Sequence, residues 1–276
     1  MFSLNCKGRL VLIDRPLVMG ILNINDDSFY AGSRVHNKDE LFKKVNQMLS
    51  EGADILDIGG QSTRPGSNRI SVDEELSRVL PAIEFIDSKF PDVLLAIDTY
   101  HAEVAGKSVE AGASIVNDIS AGEMDIDMIS TVANLKVPYI CMHTKGVPET
   151  MQEQTEYEDV TKEVLDYFIK KIKQCRLAGI NDIIVDPGFG FGKNMVQNFT
   201  LLKNFCLFKI LETPLMAGLS RKSSIYKTLN VSVGDSLNGS TVLHTIALQN
   251  GANILRVHDV KEAREAVALY MAYDKA

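Results

Sequence analysis

Eight short apolar runs in this chain each end in, or lead into, side chains able to bind a ligand or do chemistry. They are LVMGILNI (17–24), DILDIGG (54–60), VLLAIDT (93–99), SIVNDIS (114–120), PYICMH (138–143), DIIVDPG (182–188), PLMAGLS (214–220) and NILRVHD (253–259). In order they deliver Asn23; Thr63 and Arg64; Asp98; Asn117 and Asp118; His143; Asp186; Ser220, Arg221 and Lys222; and Arg256 with His258. A single polar end is ordinary, because chains become polar where strands stop. The set is not ordinary. Generic ends favour Lys, Glu and Ser, whereas Asp, Asn, Arg and His dominate here and need specific partners when half buried.

These residue types sort into two chemistries. Asp98 and Asp186 can accept hydrogen bonds from an array of ligand N–H groups. Asn117 can both donate and accept, so the three suit a flat heteroaromatic ring with amide-like edges. Arg64, Arg221, Lys222, Arg256 and His258 suit an anion with several oxygens, such as a pyrophosphate. Arg256 and His258 are two apart on one strand and point to one side. The glycine-rich DPGFGFGK (186–193) misses the P-loop pattern, since Pro187 stands at the first glycine and Asn194 where Ser or Thr is required. It also lacks the last glycine of GxGxxG. It reads as a flexible loop whose Phe189 and Phe191 cover a ligand, with packing on the adjacent helix as the alternative. His36, His101 and His244 have no motif partners and read as structural, while His143 reads either way.

The elements that must position these groups are legible in the same rows. Each run is nearly continuous and apolar, as a strand buried on both faces should be. Helix-type stretches lie at 39–51, 72–89, 102–111, 157–178, 237–250 and 261–273, with a weaker one at 126–135 and a short one beginning at Ser223. EGAD, EAGAS, LAGIND and NGAN each place a glycine at a helix end just before a strand. Eight such units in ~250 residues predict a (β/α)8 TIM barrel, an α/β fold, as one domain over 1–276, with a doubly wound open sheet as the alternative. Residues 1–14 read as a small hairpin around Asn5-Cys6-Lys7-Gly8 that closes the barrel bottom. In such a barrel all the strand ends meet at one face.

Composition narrows the class. Of 276 residues, 45% are apolar and 24% charged, and the net charge of −7 argues against a broad nucleic-acid footprint. No apolar run approaches the ~18 residues of a spanning helix. Lys7, Arg9 and Asp14 interrupt the first apolar residues, so no signal peptide is expected. Cys6, Cys141, Cys175 and Cys206 are widely spaced, with no CxxC or zinc-type cluster. Reduced thiols in a cytoplasmic protein, with neither nucleic acid nor membrane as partner, are the expectation.

Taken together and in order, MGILN…DSF (19–29), DIGGQSTRPGS (57–67), AIDTY (96–100), Asn117-Asp118, MHTKGVPETMQ (142–152), DPGFGFGK (186–193), SRKS (220–223) and RVHD (256–259) carry a likeness. From about residue 16 to its end, the chain resembles the dihydropteroate synthase family of pterin-binding barrels. The resemblance implies condensation of 6-hydroxymethyl-7,8-dihydropterin diphosphate with p-aminobenzoate, releasing pyrophosphate, in folate biosynthesis. It also implies a sulfonamide target, a Mg2+ cofactor at Asn23 and a homodimer. Asp98, Asn117, Asp186 and Lys222 match the residues that hold the pterin ring. Thr63, Arg64, Arg256 and His258 match the pyrophosphate and p-aminobenzoate region, and Ser223 matches the serine near the p-aminobenzoate carboxylate. Phe189 joins this substrate set from the glycine-rich loop. Loss of pyrophosphate would leave a methylene cation, which Asp186 or Asp98 could stabilise, while Mg2+, Arg256 and His258 stabilise the departing charge. The chain departs from the family at NINDDSF, where Asn25 and Asp26 replace Thr and Pro, and at Gln61, which replaces Glu. Two alternatives are a non-catalytic pterin-binding paralogue and a pterin-dependent methyltransferase acting with a corrinoid protein. STRPG and SRKS are not expected of the latter.

Overall fold

The computed structural model describes residues 1–24, 34–61, 69–146 and 155–276, and the side chains of residues 34–37 lie outside that description. Strands form where the apolar runs stand, trimmed at their ends. An N-terminal pair, β1 (Phe2–Cys6) and β2 (Arg9–Ile13), is antiparallel. Eight parallel strands follow: β3 (Leu17–Asn23), β4 (Ile55–Gly59), β5 (Leu94–Asp98), β6 (Ile115–Asp118), β7 (Tyr139–Met142), β8 (Ile183–Asp186), β9 (Met216–Ala217) and β10 (Ile254–Val257). The helices among them are α1 (Arg34–Ser50), α2 (Val72–Lys89), α3 (Ala102–Ala111), α4 (Met128–Leu135), α5 (Val160–Ala178), α6 (Met195–Lys203), α7 (Ser223–Leu229), α8 (Leu237–Gln249) and α9 (Val260–Asp274).

The ladder runs β8-β7-β6-β5-β4-β3-β10-β9. It closes where Val185 bridges Leu215 in parallel and donates its N–H to the Pro214 carbonyl at 2.9 Å. The sheet is therefore a barrel, and the open-sheet alternative falls away. The α6 helix lies in a stretch where the apolar pattern gives no helix. Its start is nevertheless written in the sequence. Asn194 accepts from the Gln197 N–H and the Gln197 side chain accepts from the Asn194 N–H, a capping box. Among the described residues, no helix is long and apolar enough to cross a membrane.

Strand alternation divides the buried residues into two cores. Leu17, Met19, Ile55, Leu94, Ala96, Ile115, Ile140, Ile184, Met216 and Ile254 form the barrel interior together with Leu4, Cys6 and Ile13 of the hairpin. Their strand neighbours Val18, Leu56, Leu95, Val116, Cys141, Val185, Ala217 and Leu255 pack outward against the helices. The hairpin thus plugs the barrel. It turns at Lys7 and Gly8, both with positive φ (53° and 87°), as a two-residue turn matched to strand twist requires. Asn5 N–H donates to Asp182 Oδ2 at 2.9 Å and Lys7 Nζ to the Val109 carbonyl at 2.8 Å, fastening it across the barrel's N-terminal end.

Truncating the plug separates stability from chemistry, because the plug sits at the opposite end from the strands' C-terminal side chains. Leu4→Ala should cost about 2–5 kcal/mol in urea unfolding. The loss of a buried leucine that is 1% exposed should leave the pH profile of any activity unchanged. An unchanged unfolding midpoint would contradict the plug's role.

Candidate active site

Counting in twos along each strand from the interior residues reaches the C-terminal mouth. From Met19 the count arrives at Asn23, from Ile55 at Asp57, from Ala96 at Asp98 and from Ile115 at Asn117. From Ile140 it arrives at Met142, from Ile184 at Asp186, from Met216 at Gly218 and from Ile254 at Arg256. The same face that builds the plug therefore carries a polar ring above it.

At the centre of that ring is Arg256. Its Nε donates to Asp57 Oδ2 at 2.6 Å and its Nη2 to Asp98 Oδ2 at 2.5 Å. Asn117 Nδ2 donates to both Asp57 oxygens, at 3.1 and 3.3 Å. Asp57 is fully buried and does not stand out in the sequence, because it lies inside an apolar run rather than at its end. Its shared parity with Ile55 is the signal that marks it. Asp98 is buried, and its Oδ1 has no hydrogen-bond partner among the described residues. An unpaired buried acceptor at a mouth is an invitation to a ligand N–H.

The opposite wall is Asp186 and Lys222. Asp186 Oδ1 accepts from the Gly188 N–H at 2.8 Å. Gly218 makes room here. A Cβ on it would stand 3.6 Å from Asp186 Oδ2, 3.9 Å from Lys222 Nζ and 4.0 Å from Arg256 Cβ. Lys222 is the N-cap residue of α7, but its side chain does not cap the helix. It reaches back to donate to the Phe189 carbonyl, with its ammonium 4.6 Å from the Phe191 ring centroid.

Burial sets the proton affinities. It pushes Asp98 up to about 7, with Asp57 and Asp118 adding to the rise and Arg256 opposing it. Burial also raises Asp186, against the pull of Lys222 and the Gly188 N–H. It lowers Lys222 to about 8, with Asp186 holding it up and Arg256 pushing it down. For Arg256, burial disfavours the charge, but Asp57 and Asp98 more than offset it and keep the guanidinium charged.

Several expectations are redrawn. Of the two loop aromatics, Phe191 joins Tyr100, Ile119 and Met142 in an apolar patch on the barrel side. Phe189 turns the other way, fully buried in the outer core against Phe205 at 5.9 Å. Its contribution at the mouth is its carbonyl, not a ring that covers a ligand. Arg221 is not an anion clamp. It takes a left-handed φ of 53° and spends its guanidinium on Asp259, at 2.8 and 2.9 Å, and on the carbonyls of Val233 and Gly234. His143 faces outward, edge-on to Tyr167 at 4.9 Å. Asp118 also faces outward and accepts from Ser120 N and Oγ, Gly122 N and Tyr139 Oη, each at 2.7 Å. Asn23, Ser223 and His258 are exposed, and the His258 N–H donates to Ser220 Oγ at 3.2 Å. Thr63, Arg64, Asn25 and Asp26 lie outside the described residues. Gln61 is described: its amide donates to the Tyr100 hydroxyl and accepts from the Ile70 N–H at 3.3 Å.

The comparisons with known proteins agree with this geometry. Residues 19–258 match the family described as pterin binding enzyme. The dihydropteroate synthase of Escherichia coli K12 is 42% identical over 272 residues, which cover 98% of this chain and 96% of that protein. That of Haemophilus influenzae is 39% identical, with 98% of each chain covered. Among solved structures, Yersinia pestis dihydropteroate synthase in a sulfonamide drug complex superposes with a TM-score of 0.93 at 40% identity, covering both chains fully. Xanthomonas albilineans dihydropteroate synthase in complex with 7,8-dihydropteroate gives 0.87 at 35%, again over both full chains. A polar ring around a half-buried arginine, on a barrel that matches these proteins from end to end, places the chain in the pterin-binding enzyme family, among the dihydropteroate synthases.

Proposed function

We propose that this chain condenses 6-hydroxymethyl-7,8-dihydropterin diphosphate with p-aminobenzoate to give 7,8-dihydropteroate and pyrophosphate, a transferase step of folate biosynthesis. The observation that carries the reading is the half-buried Arg256 held between Asp57 and Asp98, with Asp98 Oδ1 left without a partner among the described residues.

In this reading the pterin ring lies between the two walls. Asp98 and Asp186 accept from ring N–H groups, Asn117 pairs with the ring edge, and Lys222 donates to a ring acceptor. The bond between the methylene carbon and the diphosphate oxygen breaks, and its electron pair leaves with pyrophosphate. The p-aminobenzoate nitrogen supplies its lone pair to that carbon and then releases a proton. Asp186 stabilises the positive charge that develops on the ring, and Arg256 with His258 stabilises the departing oxygens. Ser223 is assigned to the p-aminobenzoate carboxylate, and Thr63 with Arg64 to the anion end. No protein nucleophile is needed.

Mg2+ belongs to the proposal. The Asn23 Oδ1 atom and Asp98 Oδ2, the oxygen that accepts from Arg256, lie 3.6 and 3.8 Å from where a Cβ on Gly59 would stand, so two hard oxygens lie beside Gly59. That chemistry fits a cation that takes one or two protein oxygens and the rest from substrate phosphates. Substrate phosphate oxygens would supply further ligands. When bound, the ion would neutralise charge on the leaving pyrophosphate. A cytoplasmic setting is proposed on the free cysteines. A homodimer is proposed across the α8–α9 face. A groove of about 390 Å³ there is lined by Thr241, Thr245, Leu269, Tyr270 and Tyr273, and Val242, Leu269 and Tyr273 are exposed.

Pyrophosphate release from purified protein, with both substrates and with or without Mg2+, tests the reaction itself. No release under any of these conditions would favour the non-catalytic paralogue. Asp186→Asn and Lys222→Ala should each lower kcat/KM by roughly 10²–10³-fold with the circular dichroism spectrum retained. Near-normal turnover in either variant would remove that residue from the site.

The pH profile follows from the two walls. Asp98 must be ionised to accept, so kcat/KM should rise through about 7. Lys222 must stay protonated to donate as a cation, so kcat/KM should fall above about 8. Asp98→Asn should erase the acidic limb and leave the basic one. An acidic limb that survives this change belongs to another group.

For assembly, sedimentation equilibrium should give twice the chain mass, and Leu269→Glu with Tyr273→Glu should return it to one. A wild-type monomer at micromolar concentration would sink the dimer.

A further inference from the structure

The glycine-rich loop after β8 has no regular structure of its own to hold it. Gly188, Gly190 and Gly192 all take left-handed φ values of 72°, 83° and 58°. Alternate left-handed residues turn successive carbonyls in different directions, so each needs a donor from elsewhere. One of those donors is a side chain that the proposed chemistry does not use. Lys193, 2% exposed, places its Nζ 3.0 Å from the Gly188 carbonyl, 2.9 Å from the Phe191 carbonyl, 3.0 Å from His143 Nδ1 and 3.3 Å from the His143 carbonyl. Asn198 completes the frame, accepting from the Gly190 N–H at 2.6 Å and donating to the Lys193 carbonyl at 3.1 Å. Between these clamps, the Phe189 carbonyl is the acceptor for Lys222.

We infer that Lys193 is a positioning residue of the pterin site: by fixing the Gly188 and Phe191 carbonyls, it presents the Phe189 carbonyl and the Phe191 ring to Lys222. The inference rests on the reading that Lys222 acts on the pterin. It goes further by assigning the loop's internal lysine to holding Lys222 in place rather than to touching substrate.

The atom count supports a clamp rather than a second cationic ligand. Burial drives the Lys193 amine well below its usual range, with Asp186 pulling it up and Lys222 pushing it down. Burial also drives the His143 imidazole well below its own, with Lys193 adding to the fall. In either protonation state the Lys193 amine carries at least two N–H donors, and these match the two nearest carbonyls, those of Phe191 and Gly188. The backbone on the far side is equally constrained. A Cβ on Gly188 would lie 1.9 Å from the His143 carbonyl oxygen, so the loop seats directly on the end of β7.

Lys193→Met keeps the length and removes the donors. Released carbonyls would let the loop move and water reach Lys222, whose depression comes first from burial. Asp186 and Arg256 face Lys222 from β8 and β10 and remain. The expected result is a fall in kcat/KM of roughly tenfold to a hundredfold, as for a reacting geometry displaced by about 1 Å. The basic limb should move upward from about 8, and the Lys222 Cε resonance in carbon-13 lysine-labelled protein, assigned with Lys222→Gln, should titrate at the same higher pH. A variant that loses thermal stability but keeps the natural basic limb and the natural Lys222 titration would make Lys193 merely structural and overturn the inference. If Lys193→Met does not fold, Lys193→Gln, which keeps a donor at shorter reach, carries the same two readings. Absence of turnover in the unmutated chain would overturn the functional reading instead, and the Lys222 titration would still decide the role of Lys193.

Discussion

Two carboxylates meeting one guanidinium inside a closed barrel is the constraint around which this mouth is organised. Asp57 and Asp98 come from neighbouring strands and Arg256 from a third, so the contact fixes three strand ends at once. Buried charges are tolerated only when the geometry is good and the remaining lone pairs are satisfied. Asn117 supplies part of that satisfaction at Asp57. A guanidinium can serve two carboxylates from separate nitrogens of one rigid fork, which a lysine ammonium does not offer. The apolar plug below keeps water from entering from beneath and so keeps these contacts strong.

The arrangement costs stability at neutral pH. Asp57, Asp98 and Asp186 face Arg256 and Lys222, three potential negative charges against two positive. Asp98 has its folded pKa raised to about 7. Its stabilising contribution is therefore full below its unfolded pKa and lost as pH rises through about 7. Lys222 is lowered to about 8. Its contribution is full above its unfolded pKa and lost as pH falls through about 8. Both groups thus oppose folding in the range where a ligand would need them charged. A ligand that brings N–H donors to Asp98 and an acceptor to Lys222 relieves both, which is how a site comes to favour its bound state over a merely stable scaffold.

How far the sequence reveals this differs by residue. Apolar runs bounded by glycine give the eight strands and most of the helices, because burial on both faces leaves a pattern that needs no partner to read. Strand-end side chains are legible for the same reason. Asp57 is not, since it sits two residues from the strand end in a run that looks wholly apolar, and only the parity shared with Ile55 marks it. The roles of Phe189 and Phe191 are hidden by the left-handed glycines between them, which break the alternation that strand logic assumes. Arg221 looks like a partner of Lys222 because they are adjacent. Its acceptor, Asp259, lies 38 residues away, and distant pairing leaves no trace in one sequence. Lys193 is invisible as a clamp because its partners are backbone carbonyls, which every residue has.

Adjacent residues at the mouth split between site and scaffold, and the split explains why the strand ends are so polar. Asn117 points inward to Asp57, while Asp118 points outward and gathers four hydrogen bonds from the β6–α4 turn and Tyr139. Met142 faces the barrel, while His143 turns outward to Lys193 and the aromatic rings of α5. Lys222 faces the barrel, while Arg221 locks onto Asp259 after β10. A strand's two-residue period forces such a division at Asn117 and Asp118, and the left-handed φ of Arg221 produces it ahead of α7. A residue beside a functional side chain lies on the other face, where it can hold the loop that follows. In each pair the outward residue is satisfied by fixed partners within the fold. At Asp98 and Lys222 the inward residue is held in an unfavourable charge state by the same burial. The scaffold residues therefore do not merely fill the chain between site residues: they supply the rigidity that holds their neighbours at the mouth.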